Sequence, residues 1–355
     1  MSLAPRYSSL VVYYFSGTGN ARSVATWLCD AAGKVHLPSR IINIADVDHH
    51  AIARPDPGAL VAFVSPVHGF NYPPIMVYFL THFPRGKNDV LLMNTRAGMM
   101  IGRFVTPGLS GVTFYLASLL LLIKGYTINA WYPVNLPSNW TSLHPALNAS
   151  IVSGLFGKYH AKVAAFAERA FEGKRNFKGL IEIVQDAIIA PMTLGYYLVG
   201  RFFFAKSFYA SRACDDCGVC IKGCPVHAIK EVDGRPYWRF TCESCMKCMS
   251  TCPKKAIETA HGFVGALLLL FYGVVLGIVF RYGGQWGLVR ESVAGFVVES
   301  LLLLGLLGVL YRALHTLMRF PVIERLMVYT SLTSYRFWGG RYRAPKEHVR
   351  QTAPH

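Results

Sequence analysis

Eight of the nine cysteines in this 355-residue chain fall into two runs of the same spacing. The first run is Cys214, Cys217, Cys220 and Cys224, and the second is Cys242, Cys245, Cys248 and Cys252. Each run reads Cys-x2-Cys-x2-Cys-x3-Cys-Pro, a spacing typical of ligands to [4Fe-4S] clusters. Structural zinc sites use two Cys-x2-Cys pairs and do not need the repeated third and fourth cysteines. The spacing therefore predicts iron–sulfur clusters and disfavours zinc.

The two runs are expected to share their ligands. A cubane cluster needs four thiolates around a compact core, and a tight loop supplies three of them while the fourth comes from the other run. One [4Fe-4S] cluster is therefore predicted on Cys214, Cys217, Cys220 and Cys252. The other is predicted on Cys242, Cys245, Cys248 and Cys224. The ninth cysteine, Cys29, is expected to lie in the core.

A second chemical signal lies near the N-terminus, in Ser16-Gly17-Thr18-Gly19-Asn20. An apolar run over residues 9–15 precedes it, and apolar residues at helical spacing follow it. Glycines let backbone amides approach an anion, hydroxyls add donors, and the start of a helix adds a favourable dipole. These residues predict a phosphate-binding loop between a strand and a helix.

Two further apolar runs end in polar loops. Ala59 to Val64 leads into residues 65–74, and Val90 to Met93 leads into residues 94–98. Apolar strands separated by helical stretches predict an α/β fold with a doubly wound parallel sheet covered on both faces. Ligands of such sheets bind beyond the carboxyl ends of the strands, so the three loops are expected to converge there.

The three loops resemble those of the flavodoxin family. The first matches its Thr/Ser-x-Thr-Gly-x-Thr motif, except that Ala21 replaces the final threonine. The resemblance implies bound FMN, whose terminal phosphate suits the loop, and the dinucleotide fingerprint Gly-x-Gly-x-x-Gly is absent. FMN is therefore expected instead of FAD, without a direct NAD(P)H site.

The same resemblance assigns the other two loops to the flavin ring. The second loop contains Pro66, Val67, His68, Gly69 and Phe70, with His68 at the family's aromatic position and Phe70 and Tyr72 as alternatives. The third loop contains Asn94, Thr95, Arg96, Ala97 and Gly98 and would supply backbone contacts to the ring edge. His68 could instead be a solvent-facing loop residue, and Arg96 a plain surface charge.

Residues 211–260 resemble the bacterial two-cluster ferredoxins, with a match at all eight cysteines. Residues 9–260 as a whole resemble the flavodoxin–ferredoxin fusion proteins. The resemblance implies a small α+β ferredoxin domain after the flavodoxin-like domain, and electron transfer between FMN and two [4Fe-4S] clusters. A flavin takes up two electrons and each cluster passes one.

Composition points to a membrane. Hydrophobic residues make up 53% of the chain and charged residues only 15%, which excludes disorder for most of the chain. The net charge of +17 suits an anionic membrane face, a nucleic acid or an acidic partner. Phe263 to Phe280 carries no charge, and Ser292 to Tyr311 carries only Glu299. Both stretches are long enough to cross a bilayer and predict a transmembrane hairpin. Basic residues flank its outer ends more than its linker, which predicts that the large domains are cytoplasmic.

Two other apolar stretches are too short to cross. Residues 113–123 are expected to form a helix buried within the protein. Residues 187–200 are broken by Pro191 and are expected to form an interfacial or covered helix. The predicted organisation is therefore 1–178 FMN-binding domain, 179–210 apolar interfacial connector, 211–260 ferredoxin domain, 261–312 transmembrane hairpin and 313–355 basic cytoplasmic tail.

These features predict an electron-transfer protein of the cytoplasmic membrane that works with a redox partner protein. One alternative is a flavin-dependent reductase of a quinone or lipid-like substrate, with Glu299, His261 and His315 as candidate contacts. Another is an electron-input subunit of a larger membrane complex. The aromatic and basic tail, Tyr329 to Arg343, suits lipid headgroups or an acidic partner better than nucleic acid, and no nucleic-acid-binding motif accompanies it.

Overall fold

A computed structural model describes residues 6–101, 104–282 and 292–338. These residues form two compact units. The first contains residues 6–101, 104–139 and 147–195, and the second contains residues 140–146, 196–282 and 292–338.

The first unit is built on a parallel sheet. Its strands are β1 (Ser9–Tyr14), β2 (Ser39–Asn43), β3 (Ala59–Pro66), β4 (Asp89–Ile101), β5 (Phe104–Thr106) and β6 (Thr127–Pro137). The parallel order is β2-β1-β3-β4-β6, and β5 pairs antiparallel with the end of β4. This is the strand order of flavodoxin-like doubly wound sheets, so the predicted fold class is confirmed.

Helices cover both faces of this sheet. They are α1 (Asn20–Lys34), α2 (Pro74–His82), α3 (Thr113–Ile123) and α4 (Ala149–Phe171). Alternate residues of β1 point to opposite faces: Leu10, Val12 and Tyr14 join the core beneath α1 and α4. Tyr13 packs instead against the ring of Phe79 on α2. A strand that is buried on both faces must be apolar throughout, which explains the continuous hydrophobic runs.

Helix α3 differs from its prediction. Phe114 and Leu121 are fully buried, but Leu119, Leu122 and Ile123 are 56%, 55% and 61% exposed. The expectation that the protein buries this helix on all sides is therefore wrong, because one face of α3 packs on the sheet and the other carries exposed apolar side chains.

A long helix leads out of the first unit. It begins with a 3-10 turn over Lys178–Glu182, continues as α5 (Ile183–Gly195) and a π-helical turn (Tyr196–Gly200), and ends as α6 (Arg201–Ala205). We call residues 178–205 the connector helix. The prediction of a short helix broken at Pro191 is wrong, because the connector helix is 28 residues long and continues through this proline.

Among the described residues, three helices are long and apolar enough to cross a membrane. The connector helix is the first, and the others are His261–Val279 and Val293–Leu317. The last two coincide with the predicted hairpin, and together the three helices indicate membrane association. The predicted hairpin linker lies mostly outside the described residues.

The second unit contains two short antiparallel strand pairs. Strand β7 (Phe208–Ala210) pairs with β10 (Ile257–Thr259), and β8 (Ile229–Val232) pairs with β9 (Arg235–Trp238). Its helices are α7 (Val219–Lys222), α8 (Lys247–Thr251), α9 (His261–Leu270), α10 (Leu276–Tyr282), α11 (Val293–Leu317) and α12 (Pro321–Tyr329). A π-helical turn, Phe271–Val275, joins α9 to α10.

Part of the predicted basic tail packs into the second unit. The Thr333 hydroxyl donates a 2.6 Å hydrogen bond to the Glu258 carboxylate. The Leu332 N–H donates to Nδ1 of His261, whose Nε2 lies 3.0 Å from the Ser142 carbonyl oxygen. Both ring nitrogens of His261 thus have structural partners. The remainder of the tail, from residue 339, lies outside the described residues.

A buried ion pair fixes the start of the connector helix to the sheet. Arg96, on β4, is 5% exposed, and its guanidinium forms two hydrogen bonds with the Glu182 carboxylate. The same guanidinium donates to Asn135 Oδ1 at 2.7 Å and to Ser110 Oγ at 2.9 Å. One cation therefore joins β4, β6, the loop before α3 and the connector helix.

Replacing Arg96 with methionine should destabilise this part of the sheet. Removal of one partner leaves the other charge buried without compensation, at a cost of about 3 kcal/mol. We expect hydrogen exchange of the β4 and β6 amides to accelerate about a hundredfold. Arg85→Met is the control, since Arg85 is exposed and, among the described residues, donates only to the Ile123 carbonyl oxygen. Equal exchange rates in the two variants would contradict the structural role of the ion pair.

Candidate functional site

The predicted phosphate-binding loop connects β1 to α1. Gly19 has φ +106°, a conformation that favours glycine, and its N–H donates to Ser16 Oγ at 3.0 Å. Because α1 begins at Asn20, the first amides of the helix face this loop without an intrahelical acceptor. Ser16, Gly17 and Thr18 are half-buried, so an anion can reach the loop from solvent.

The end of β6 forms one wall of this loop. The side-chain amide of Asn20 donates to the Pro137 carbonyl oxygen at 2.7 Å, and the Asn139 side-chain amide donates to Thr18 Oγ1. Because the Thr18 oxygen accepts this bond, its hydrogen can be directed to an anion. Strand β6 was not predicted from the sequence, although residues 127–136 contain Ile, Trp, Tyr and Val between polar residues, a composition that favours a strand.

The second loop begins where β3 ends at Pro66, and it closes in a tight turn. The N–H of Val67 donates to the Thr95 carbonyl oxygen at 3.0 Å. His68 and Asn71 exchange backbone hydrogen bonds, with Gly69 at φ +54° and Phe70 at φ +65° between them. Two consecutive positive φ angles are typical of a tight hairpin turn.

This turn decides which aromatic side chain remains available. His68 and Phe70 are half-buried at the turn, whereas Tyr72 is 1% exposed and its hydroxyl donates to the Met93 carbonyl oxygen at 2.8 Å. The alternative that Tyr72 flanks the flavin ring is therefore wrong, because the ring of Tyr72 is buried in the core. The flavin contacts of His68 and Phe70 stay predictions.

The third predicted loop is part of a strand. Asn94, Thr95, Arg96, Ala97 and Gly98 continue β4 and pair with β6 from Pro133 to Pro137. The expectation of a loop is wrong here because strand pairing extends the backbone beyond the apolar residues. Arg96 is also not a surface charge, since its side chain is buried among protein acceptors.

Arg96 and its neighbours hold the loop that precedes α3. The Asn94 side-chain amide donates to Ser110 Oγ at 3.2 Å, and the Gly108 N–H donates to Asn135 Oδ1 at 3.0 Å. The Gly111 N–H donates to Asp186 Oδ1 on the connector helix at 2.8 Å. The third stretch thus positions residues 108–111 at the carboxyl edge of the sheet, a role that the sequence did not indicate.

The eight clustered cysteines line two separate cavities. Cys214, Cys217, Cys220 and Cys252 line one cavity, and we call these four residues the first quartet. Cys224, Cys242, Cys245 and Cys248 line the other, and we call them the second quartet. The structure therefore brings the cysteines together in the crossed grouping that the spacing predicted.

The two runs fold in the same way. Residues with positive φ recur at equivalent places in both runs: Asp216 and Ser244, Gly218 and Met246, His227 and Lys255. The Ala228 N–H donates to Cys224 Sγ at 3.2 Å, and the Ala256 N–H donates to Cys252 Sγ at 3.3 Å. The fourth cysteine of each run thus accepts from the backbone N–H at the same place, four residues further along the chain.

The cysteines of each quartet are difficult to deprotonate unless a cation lies between them. Burial raises the pKa of Cys220 to about 12, and the charges of Cys214 and Cys252 add to the effect. Burial likewise raises the pKa of Cys245 to about 12, and Cys224 adds to it. Four thiolates so close together repel one another, and iron removes that cost. We also searched the described ranges for sites where a single metal ion could bind. They contain no group of three or more His, Cys, Asp or Glu side chains that could hold one.

Comparison with known proteins agrees with the cysteine sites. A family described as "4Fe-4S dicluster domain" matches residues 213–257. No curated protein matches the chain.

Solved structures match less than half of the chain, at low similarity. A Streptococcus pneumoniae TIGR4 flavodoxin is 13% identical, with a TM-score of 0.29 over 44% of this chain and 98% of its own. A two-electron reduced Megasphaera elsdenii flavodoxin is 18% identical, with a TM-score of 0.29 over 43% and 98%. Rubredoxin oxygen:oxidoreductase from Desulfovibrio gigas is 13% identical, with a TM-score of 0.30 over 48% and 37%. The strand order of the chain itself remains the basis for its fold class.

The crossed grouping has a spectroscopic consequence. Cys224→Ser should alter the EPR signal of the cluster on the second quartet, although the other three cysteines of its own run belong to the first. Cys252→Ser, the equivalent change in the other run, should alter the signal of the first quartet instead. If each substitution altered the cluster of its own run, the crossed grouping would be refuted.

Proposed function

We propose that the protein is a membrane-anchored electron carrier. It passes electrons between FMN, held by the first unit, and two [4Fe-4S] clusters, one on each cysteine quartet. A redox partner protein, itself membrane-associated, supplies or accepts the electrons. The observation that carries this proposal is the pair of four-cysteine cavities in the same chain as a flavodoxin-like sheet with a phosphate-binding loop.

The residues of the first unit suit the binding and orientation of FMN. The half-buried Ser16 to Thr18 loop, with its hydroxyls and the start of α1, would hold the phosphate. Phe70 and His68 lie on the neighbouring turn, on the side of the sheet where the ring would lie. When bound, FMN converts between two-electron and one-electron transfer.

We propose that the connector helix lies along the membrane interface. On one face Glu182 binds Arg96, and Asp186, 3% exposed, accepts bonds from the Gly111 N–H and the Tyr115 hydroxyl. On another face Ile181, Val184 and Ile188 are 81%, 71% and 73% exposed. A helix with one bound polar face and one exposed apolar face suits an interface, where its apolar side enters the lipid. The flavin and cluster regions then share the cytoplasmic side.

Electron transfer is tested on the full-length protein, purified anaerobically in detergent. We expect about eight iron and eight sulfide per chain, and FMN released on denaturation. Photoreduction of the flavin in the presence of a sacrificial donor should then be followed by bleaching of the cluster absorbance.

Two glycine variants serve as a matched pair in this experiment. Gly19→Ala strains a backbone at φ +106° and should lose FMN and the light-driven bleaching, while its clusters remain reducible by dithionite. Gly33→Ala, in an open position of α1, should behave as the unsubstituted protein. Zinc in place of iron, FAD in place of FMN, or bleaching that persists without flavin would contradict the proposal.

Topology is tested with short epitopes in intact and lysed cells. Epitopes after Lys174, before the connector helix, and after Gly234, in the turn between β8 and β9, should be detected only after lysis. An epitope within residues 283–291, between the two hairpin helices, should be detected in intact cells. Detection of the first two epitopes on opposite sides would mean that the connector helix crosses the membrane.

A further inference from the structure

Lys206 is a buried cation of the second unit. It directly follows the connector helix and is 2% exposed. Its ammonium group donates to the Trp238 carbonyl oxygen at 2.6 Å and to the Tyr237 hydroxyl at 3.2 Å. Three aromatic rings surround it, with centroids 4.3 Å away for Tyr237, 4.5 Å for Phe240 and 4.7 Å for Tyr311.

This ammonium group lacks a carboxylate partner in the described part of the chain, where Lys206 takes part in none of the salt bridges. Withdrawal of a charge from water is costly, and aromatic faces and a carbonyl return only part of that cost. A fully buried lysine is therefore expected to have a negative group nearby.

The second cysteine quartet is the candidate for that negative group. Trp238, whose carbonyl accepts from Lys206, lines the cavity of the second quartet together with Phe208. Tyr311, whose ring faces the ammonium, donates its hydroxyl to the Phe208 carbonyl oxygen at 2.8 Å. Lys206 thus lies directly behind the wall of this cavity.

The electrostatics agree with this placement. Burial lowers the pKa of Lys206 to about 8, and the negative charge of Cys242 opposes that shift. At pH 7 the side chain therefore stays mostly protonated. The cavity of the first quartet is lined by none of the groups that hold Lys206.

We propose that Lys206 tunes the cluster on the second quartet. The positive charge of its ammonium group raises the reduction potential of that cluster above the value that it would have without the charge. This inference rests on the proposed clusters. The step is the uptake of one electron, supplied by reduced flavin, with no bond made or broken. The electron makes the site more negative, so a nearby cation stabilises the reduced form more than the oxidised form.

The test is an EPR-monitored redox titration of the full-length protein at pH 7, with dithionite as reductant. In Lys206→Met we expect the ratio of reduced to oxidised second cluster at a given potential to fall at least tenfold, which is about 59 mV for one electron. Cys245→Ser identifies the signal of the second quartet, and the first cluster should keep its potential. Lys206→Arg should retain the original potential because it keeps the charge.

Lys222→Met is the matched control. Lys222 lies on α7 between two cluster cysteines but is exposed, so solvent screens its charge and little change is expected. An unchanged second cluster in Lys206→Met, or an equal shift of both clusters, would overturn the inference. Absence of both clusters from the unsubstituted protein would contradict the proposed function instead.

A loss of the second cluster is also informative. If Lys206→Met and Lys206→Gln both fail to assemble it while Lys206→Arg succeeds, the charge is required and the inference is supported. If Lys206→Arg also fails, the residue acts by shape and the inference is overturned.

Discussion

The second unit is organised by the need to bring four cysteine sulfurs together at each of two places. Neither run of cysteines can do this alone, because its fourth cysteine lies at the other centre. The two runs must therefore fold against each other, and their matching positive φ angles give both the same path. Strands β7 to β10 and the short helices α7 and α8 serve that arrangement. Thiols that raise one another's pKa make it unfavourable without a cation, so iron and fold depend on each other.

The chain buries two positive side chains, and it stabilises them in different ways. Arg96 lies in the first unit and is matched by the Glu182 carboxylate and by neutral acceptors on β6 and the loop before α3. Lys206 lies in the second unit and has aromatic rings, a hydroxyl and a carbonyl around it. In the first arrangement the two charges neutralise each other, and the pair holds the connector helix to the sheet. The second leaves a net positive charge, which is why we connect it with an anionic cluster.

The apolar surface of the chain also divides between two environments. Leu10, Val12 and Tyr14 are buried between the sheet and its helices. Ile181, Val184 and Ile188 on the connector helix are exposed, and so are Leu119, Leu122 and Ile123 on α3. Polar contacts on the opposite face hold the connector helix to the sheet, so its exposed side chains stay outside the core. Exposed apolar surface of this kind suits a protein that works beside lipid.

Features that depend on local spacing could be predicted from the amino-acid sequence. The cysteine runs predicted the crossed quartets, the apolar runs predicted β1, β3 and the start of β4, and two uncharged stretches predicted the hairpin helices. Each of these is a short pattern whose physical meaning does not require knowledge of distant residues. The first loop was likewise recognisable from its glycines and hydroxyls.

Features that depend on contacts between distant segments became apparent only in the folded chain. Strand pairing with β6 turned residues 94–98 from a loop into a strand, and Glu182 turned Arg96 from a candidate surface charge into a buried anchor. Tyr72 entered the core through its bond to Met93, and Pro191 was accommodated within a helix of 28 residues. The surroundings of Lys206 come from β9, from α11 and from the segment that joins β9 to the second cysteine run, which lie far apart from it in sequence. A residue's partner across the chain is absent from local spacing, and in these cases the partner determines the residue's role.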